Sequence, residues 1–359
     1  MMDFRLTPEQ ELFRDGVRRT LEGFGRGASG PALRRALAEL GASMTDIPEA
    51  QGGLGGAGIE TALVMQEFGR HLVAEPFAAS VVHAGGLLGA LGLASDLVEG
   101  LMEGTKVAAL ASAEPEGAGD ALAVATTARR SGDGFVLAGR KSVVIGAPGA
   151  DSLLVTAVSA DGAFDGIGLF RLDAPDPARL APCRTLDFYP AADLALDGLA
   201  LPAEALIACD CGAALEEATD AAIIATCAEA VGAMEAALWL TNDYLKTRKQ
   251  FGVAIGSFQA LQHRMADAFV MVEQARSSLF AALAGRAAGP GPRRRAVAAA
   301  KALIGRSGNA MGADMVQLHG GIGMTEEYAI GHYYRRLLAI EARFGNSTHH
   351  LRRLACLPD

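Results

Sequence analysis

Arg248-Lys249-Gln250-Phe251-Gly252, followed after three residues by Gly256-Ser257-Phe258-Gln259-Ala260-Leu261-Gln262-His263, is the stretch on which the reading of this chain turns. It lies between two long apolar periodicities. Upstream, Val231, Met234, Leu238, Thr241 and Leu245 recur at three- and four-residue steps; downstream, Phe258, Leu261, Met265, Ala268, Val272, Ala275, Leu279 and Leu283 do the same, so helix is expected on both sides. A third stripe runs through Val297, Ala300, Leu303 or Ile304, Ser307 and Met311 and leads into Gln317-Leu318-His319-Gly320-Gly321-Ile322-Gly323-Met324, a glycine-rich junction that lets backbone approach a ligand closely. Stripes of this length need helical partners, which predicts a C-terminal four-helix bundle over residues 210–359. Arg248 carries a planar fork suited to phosphate oxygens, although Lys246, Arg248 and Lys249 also fit as cations favoured at a helix C-terminus.

Working outward, residues 1–105 read as an all-helical domain interrupted by one loop. Thr7 can cap a helix whose first position is Pro8, with Glu9 and Glu11 at the positive end of its dipole. The run from Asp46 to Gly56, Ile47-Pro48-Glu49 and then glycines, breaks the helical pattern; no strand precedes it, so a plain loop is expected in preference to a phosphate cradle. Pro76 to Ser95 is free of formal charge and long enough to span a bilayer, but its four glycines and His83 point to a buried pair of helices. Between residues 106 and 209 the texture changes. Short apolar runs at Val107–Ala111, Gly134–Leu137, Val143–Ile145 and Ser152–Thr156, separated by turn residues, predict a small middle β-domain.

Composition sets limits. With 359 residues, half of them apolar, the chain can bury a sizeable core, and a net charge of −9 argues against nucleic acid as a partner. The basic run Arg293-Arg294-Arg295 beside Gly289-Pro290-Gly291-Pro292 reads as a solvated turn between helices. Five cysteines without C-x-x-C spacing suggest reduced thiols and a cytoplasmic setting, and no apolar segment follows Met1–Arg5 as a secretory signal would require. His349-His350 point about 100° apart on a helix and have no third ligand at metal spacing, so a surface or interface pair is expected and no metal.

Taken in order and at their spacing, the Arg248–Gly252 and Gln317–Met324 segments resemble the signatures of the acyl-CoA dehydrogenases, FAD enzymes that desaturate acyl thioesters between Cα and Cβ. The Ile47–Gly55 run is similar to one in that family's N-terminal domain. The resemblance covers essentially the whole chain, and implies an α+β architecture: N-terminal all-α domain, middle β-domain, C-terminal four-helix bundle. It is nearest to short chains such as the small subunit of pimeloyl-CoA dehydrogenase. It further implies that Arg248, Gln250 and Phe251, with Gln259 or Gln262, reach a neighbouring subunit's FAD, and that Gln317, Gly320 and Gly321 meet its adenosine end, as do Asn346 and Thr348. An acyl-CoA substrate, an electron-transfer-flavoprotein-like acceptor, and a dimer or tetramer, including one with a second dehydrogenase chain, follow from the same resemblance.

Two departures stand out. In the middle domain, the segments that flank the flavin ring in the family correspond to Leu110–Pro115 and Val143–Gly146; Glu114-Pro115 is retained, with Ala118 and Gly119 beyond, while the one tryptophan, Trp239, lies on a helical stripe and cannot stack on a flavin from this domain. Main-chain N–H groups at Ser112, Ala113 and Ile145 can still hydrogen-bond the ring. More seriously, the family's catalytic glutamate aligns with Phe344 in Arg343-Phe344-Gly345, and the position used by a subset of the family is Ala222. Neither side chain can accept a proton. Glu229, two helical turns from Ala222 on the same face, is the candidate base, set against a buried glutamate paired with arginine. Asp220 is read as a cap or a substrate neighbour, and Glu341 as solvent-facing. The expected activity is therefore α,β-desaturation with an unconventional base; the alternatives are a catalytically silent or assisting subunit of a hetero-oligomer, or a flavin oxidase on the same fold.

Overall fold

The structure is a computed structural model, and it describes residues 5–56, 58–117 and 119–357. Helices α1 (Pro8–Phe24), α2 (Pro31–Glu39) and α3 (Ile59–His71) precede a π-helix (Ala78–Gly85) that runs directly into α4 (Gly86–Leu91), and α5 (Ser95–Met102) follows. The strands are β1 (Ala108–Ala111), β2 (Thr127–Ser131), β3 (Gly134–Ala138), β4 (Arg140–Ile145), β5 (Ser152–Ser159), β6 (Ile167–Asp173), β7 (Leu180–Arg184), β8 (Pro190–Ala195), β9 (Leu199–Pro202) and β10 (Leu206–Ala208). Then come α6 (Gly212–Thr247), the hairpin β11 (Lys249–Gln250) and β12 (Val253–Ala254), α7 (Gln259–Arg286), α8 (Pro290–His319), α9 (Ala329–Ala342) and α10 (Ser347–Cys356). Helices, then a β-region, then helices is the α+β order expected.

Contacts group the chain into two compact units that join segments remote in sequence: Met1–Ala28, Ile59–Val73 and Ile223–Asp359 in the first, Ser29–Gly58 and Ala74–Ala222 in the second. The expected boundaries at 105/106 and 209/210 follow secondary-structure content instead.

In the first unit, α1 begins with a reciprocal capping box, Thr7 with Gln10, that satisfies two otherwise orphaned amides. α3 crosses α6 backbone to backbone. A Cβ on Gly69 would strike the Glu229 carbonyl, and one on Gly232 would strike the main chain of Gln66, so glycine at both positions sets the approach of the helices. Ala221 to Met234 of α6 is buried on every face, not along a stripe. This is also the helix long and apolar enough to cross a membrane among the described residues, yet 89 % of its apolar window is covered by the protein itself. α7 packs on α8; of its expected stripe Ala268, Val272, Ala275, Leu279 and Leu283 are buried, while Leu261 and Met265 are half-buried and Phe258 is exposed.

In the second unit, a sheet of order β10-β6-β5-β2-β3-β9, with β1 parallel to β5, faces a three-stranded sheet β4-β8-β7. Phe135, Phe164 and Phe170 fill the core edge to face, with centroids 5.4–6.1 Å apart. Beside them, the fully buried Lys141 donates to Glu114 at 2.6 Å and to Thr156 at 3.0 Å. Burial alone would raise the Glu114 carboxyl, but Lys141 and the Thr126 amide outweigh it and hold the group below the usual range. Glu114 of the retained Glu-Pro pair therefore organises the β-region internally; Ala118 lies outside the described residues.

Two local expectations change, and one about the cysteines holds. Pro76–Ser95 is not a pair of helices up to Leu91 but one continuous rod whose first eight residues have π spacing; α5 begins only at Ser95. Arg293–Arg295 belongs to the start of α8, because Gly289 (φ +95°) caps it and Pro290 takes the first helical position, and Arg293 is buried. All five cysteines are free thiols, as their spacing suggested.

Candidate functional site

The first unit brings the two signature segments together. α6 ends at Thr247, and the chain turns back through the β11–β12 hairpin, whose central residues Phe251 (φ +55°) and Gly252 (φ +83°) both take the left-handed conformation of a type I′ turn. Phe251 at the tip is 90 % exposed, braced edge-on by Phe258 at 6.1 Å. Arg248, Gln250, Gln259 and Gln262 are all exposed, and among the described residues no carboxylate pairs with Arg248; Gln262 Nε2 donates to the Gly256 carbonyl at 3.0 Å. One turn before Arg248, Tyr244 stacks on His319 at 4.3 Å and donates its hydroxyl to the His319 carbonyl at 3.2 Å. Tyr328 closes the group at 4.9 Å from His319 and 5.9 Å from Tyr244.

This aromatic joint docks the end of α6 on the end of α8, so Arg248 and the Gln317–Gly321 turn fall on one patch. Sequence reasoning missed it, although three aromatic rings flanking the two motifs were the available signal. Burial lowers the pKa of His319, whose Nδ1–H donates to the Met315 carbonyl at 2.8 Å. Gln317 is exposed on the last turn of α8. Gly320 and Gly321 are exposed too, and a Cβ on either would meet nothing within 4 Å, so open space stands before this backbone. Asn346 is occupied as the N-cap of α10, accepting from the His349 amide at 2.9 Å, and Thr348 is exposed.

In the second unit, Ser112 is buried, Ala113 exposed and Ile145 half-buried. The segment after β1 is tied to β4 by the Ser142 amide donating to the Ala113 carbonyl at 2.9 Å. Between them stands Val143, a β-branched residue at φ +47° where the β4–β8 register slips. Such a conformation persists only where its surroundings impose it. Here the Val143 amide donates to Asp193 at 2.8 Å, Asp193 also pairs with Arg140, and the Gly146 amide donates to the Pro190 carbonyl at 2.7 Å. The strained bulge sets the main-chain direction at Ile145, a feature that no residue type announced.

The weighed carboxylates lie in the first unit, Asp220 excepted. Glu229 is fully buried; its carboxylate is gripped by Arg336, itself buried and donating to the Val73 carbonyl at 2.9 Å, and Arg343 stands 3.5 Å away. That is the paired arrangement set against a catalytic role. Asp220, in the second unit, is buried within α6 and not at a helix end, so it is no cap. Glu341, expected to face solvent, turns inward: it accepts from the Ser347 amide at 2.9 Å, and its other oxygen is buried against Gly305, where no Cβ stands in its way.

The turn Arg343-Phe344-Gly345 between α9 and α10 carries two consecutive left-handed residues, Phe344 at φ +54° and Gly345 at φ +87°. Lys301, fully buried in α8, donates to the carbonyls of Ile340 (3.0 Å), Glu341 (3.0 Å) and Gly345 (2.9 Å). Burial draws its pKa below the ordinary lysine range, but three carbonyl acceptors require three N–H donors and hence the ammonium. His350, expected with His349 at a surface or interface, is buried and donates Nε2–H to the Phe344 carbonyl at 2.8 Å; burial, with the nearby Lys301 charge, pushes its pKa down to about 3.

Known proteins agree with this architecture. The family described as acyl-CoA dehydrogenase, N-terminal domain, matches residues 7–95, and acyl-CoA dehydrogenase, C-terminal domain, matches 213–356. Acyl-CoA dehydrogenase IpdE2 of Mycobacterium tuberculosis is 32 % identical over 347 residues, covering 92 % of each chain. Among solved structures, the Tcur3481-Tcur3483 steroid ACAD G363A variant superposes with a TM-score of 0.85 at 31 % identity, covering 97 % of each chain. The ChsE4-ChsE5 complex from M. tuberculosis gives 0.83 at 26 %, covering 100 % of each. The chain belongs to the acyl-CoA dehydrogenase family, FAD-dependent oxidoreductases that act on CH–CH bonds.

Proposed function

We propose that this chain binds FAD and an acyl-CoA as one subunit of an α,β-desaturating assembly, and that a second dehydrogenase chain contributes the proton acceptor. One observation carries the reading: Glu229, the acid weighed as a substitute for the base that the resemblance would place at Phe344 or Ala222, is buried in an arginine pair. A carboxylate already neutralised by a buried guanidinium is a poor acceptor for a weakly acidic Cα proton, which needs a base of raised pKa. Two structural relatives bear names of paired chains, Tcur3481-Tcur3483 and ChsE4-ChsE5, which supports a two-chain assembly here.

The residues present fit FAD. A guanidinium at Arg248 that pairs with no carboxylate among the described residues, exposed amides at Gln250, Gln259, Gln262 and Gln317, and open backbone at Gly320 and Gly321 form a donor set suited to a diphosphate and an adenine. Exposure of the whole patch, with Phe251 standing out from it, favours a ligand shared with a neighbouring subunit. Thr348 and the main chain of Asn346 extend the donor set, and the amides of Ser112, Ala113 and Ile145 are assigned to the flavin ring. Bound FAD supplies the hydride acceptor, and an electron-transfer-flavoprotein-like protein in the cytoplasm reoxidises the assembly.

The test is to purify the chain alone and with co-expressed candidate partners, record the flavin spectrum, and mix each anaerobically with acyl-CoAs. Flavin bound by the chain alone, with acyl-CoA bleaching that appears only in the two-chain complex, supports the reading. Rapid bleaching by the isolated chain contradicts the need for a partner, and flavin reoxidised by air without another acceptor points to an oxidase.

A further inference from the structure

The turn that holds Phe344 is built more firmly than a phenylalanine needs. Lys301 spends all three of its hydrogen bonds there, joining the last carbonyls of α9 to the carbonyl just beyond residue 344, and it does so with no exposure to solvent. Cations at the negative end of a helix are favoured, but a surface lysine serves that purpose without being buried. His350 reaches back from α10 to the Phe344 carbonyl, Glu341 accepts from Ser347, and Asn346 caps α10. Gly345 cannot carry a Cβ, because its φ is positive and His349 stands against it. Phe344 itself stays in the left-handed region, which large side chains avoid unless their surroundings dictate it.

We infer that Lys301 and His350 are positioning residues that present the side chain of residue 344 in one fixed direction, and that this mount is intact although its occupant cannot take a proton. The inference rests on the proposed acyl-CoA and FAD reading. A carboxylate installed at 344 then arrives preorganised: it takes the proton from Cα, the hydride leaving Cβ goes to FAD, and a Cα=Cβ double bond remains.

The experiment uses the FAD-loaded full chain as wild type, Phe344→Glu, and Phe344→Glu combined with His350→Ala, His350→Gln or Lys301→Met. Flavin content, perturbation of the flavin spectrum by a non-oxidisable acyl-CoA, and anaerobic bleaching by butyryl-, octanoyl- and palmitoyl-CoA are measured for each. Amide hydrogen exchange over residues 343–347 is followed on the same proteins without ligand. Phe344→Glu is expected to bleach about 100-fold faster than wild type. Adding His350→Ala lowers that rate about tenfold at an unchanged half-saturating acyl-CoA concentration, with faster exchange in the turn, and His350→Gln, which keeps a donor near the Nε2 position, restores it. Lys301→Met abolishes the gain; should that variant not fold, the histidine pair carries the test alone.

If Phe344→Glu holds flavin and the acyl-CoA but gains no rate, the inference is overturned while the functional reading stands. If the gain survives His350→Ala undiminished, the positioning role is overturned. A chain that takes up neither FAD nor acyl-CoA overturns the reading and this inference together.

Discussion

Replacing Glu229 distinguishes a structural acid from a catalytic one. Its side chain has no exposure, that of Arg336 has 3 %, and Arg343 lies 3.5 Å from the second carboxylate oxygen. Removing one partner of such a pair leaves a charge stranded in the interior, a loss of about 3–5 kcal/mol. Glu229→Ala should therefore destabilise by about that amount. Glu229→Gln keeps the shape and one acceptor for Arg336, so about 2–3 kcal/mol is expected, or a melting shift of ~3–4 °C for a chain of this length. Arg336→Met in the Gln background removes the stranded cation and should recover part of the loss. Urea and thermal unfolding measure the stability, and flavin bleaching by acyl-CoA in the Phe344→Glu background measures the chemistry, which should not change beyond the effect of stability. The reasoning is refuted if Glu229→Gln stays within about 0.5 kcal/mol of wild type and abolishes flavin reduction.

Further outcomes follow from other parts of the molecule. Arg248→Met should weaken FAD retention roughly tenfold to a hundredfold, the worth of a charge-assisted hydrogen bond or two, with unfolding of the cofactor-free protein unchanged because the side chain is exposed and has no carboxylate partner among the described residues; equilibrium dialysis of FAD and melting curves test both halves. Glu114→Gln strands the buried Lys141 and should cost about 3–5 kcal/mol in urea unfolding, while a loss under 1 kcal/mol would show that the pair matters little.

Acid should destabilise the protein before its carboxylates titrate. Burial pulls His83 from 6.5 to about 4, and His350 falls to about 3, so both remain neutral when folded and take up protons only on unfolding as pH drops below 6.5. Their stabilisation is complete above pH 6.5 and declines toward pH 4, on the order of 2–3 kcal/mol each by pH 4.5. His350→Gln should flatten the pH dependence of the urea midpoint; a curve identical to wild type would refute the assignment.

What the sequence made legible was what depends on local chemistry. The stripes of α7 and α8, the Thr7 and Pro8 start of α1, and the apolar runs that became β1, β3, β4 and β5 all follow from periodicity and caps. The two signature segments could be assigned one family because their spacing is set by helix length. What stayed hidden depends on the tertiary environment. Nothing in Val143 announces a left-handed bulge, since Asp193 imposes it across the sheet. Arg293–Arg295 looked like a turn because the Pro-Gly-Pro beside it signals both turns and helix starts. Glu341 seemed to face solvent and His350 to lie at a surface or interface, yet the partners that bury them, Gly305 and the Phe344 carbonyl, are contributed by another helix and by the turn before α10. The Arg343-Phe344-Gly345 turn could be singled out by resemblance alone, whereas the lysine holding it lies forty-three positions earlier in α8.

The most direct test of the central claim, that this chain grips FAD and acyl-CoA but lacks a proton acceptor of its own, is a single anaerobic mixing experiment on the isolated wild-type protein. The account predicts a yellow chain whose flavin spectrum shifts when an acyl-CoA binds and then stays oxidised. Full bleaching within seconds, or a colourless chain that takes up no FAD, would contradict it.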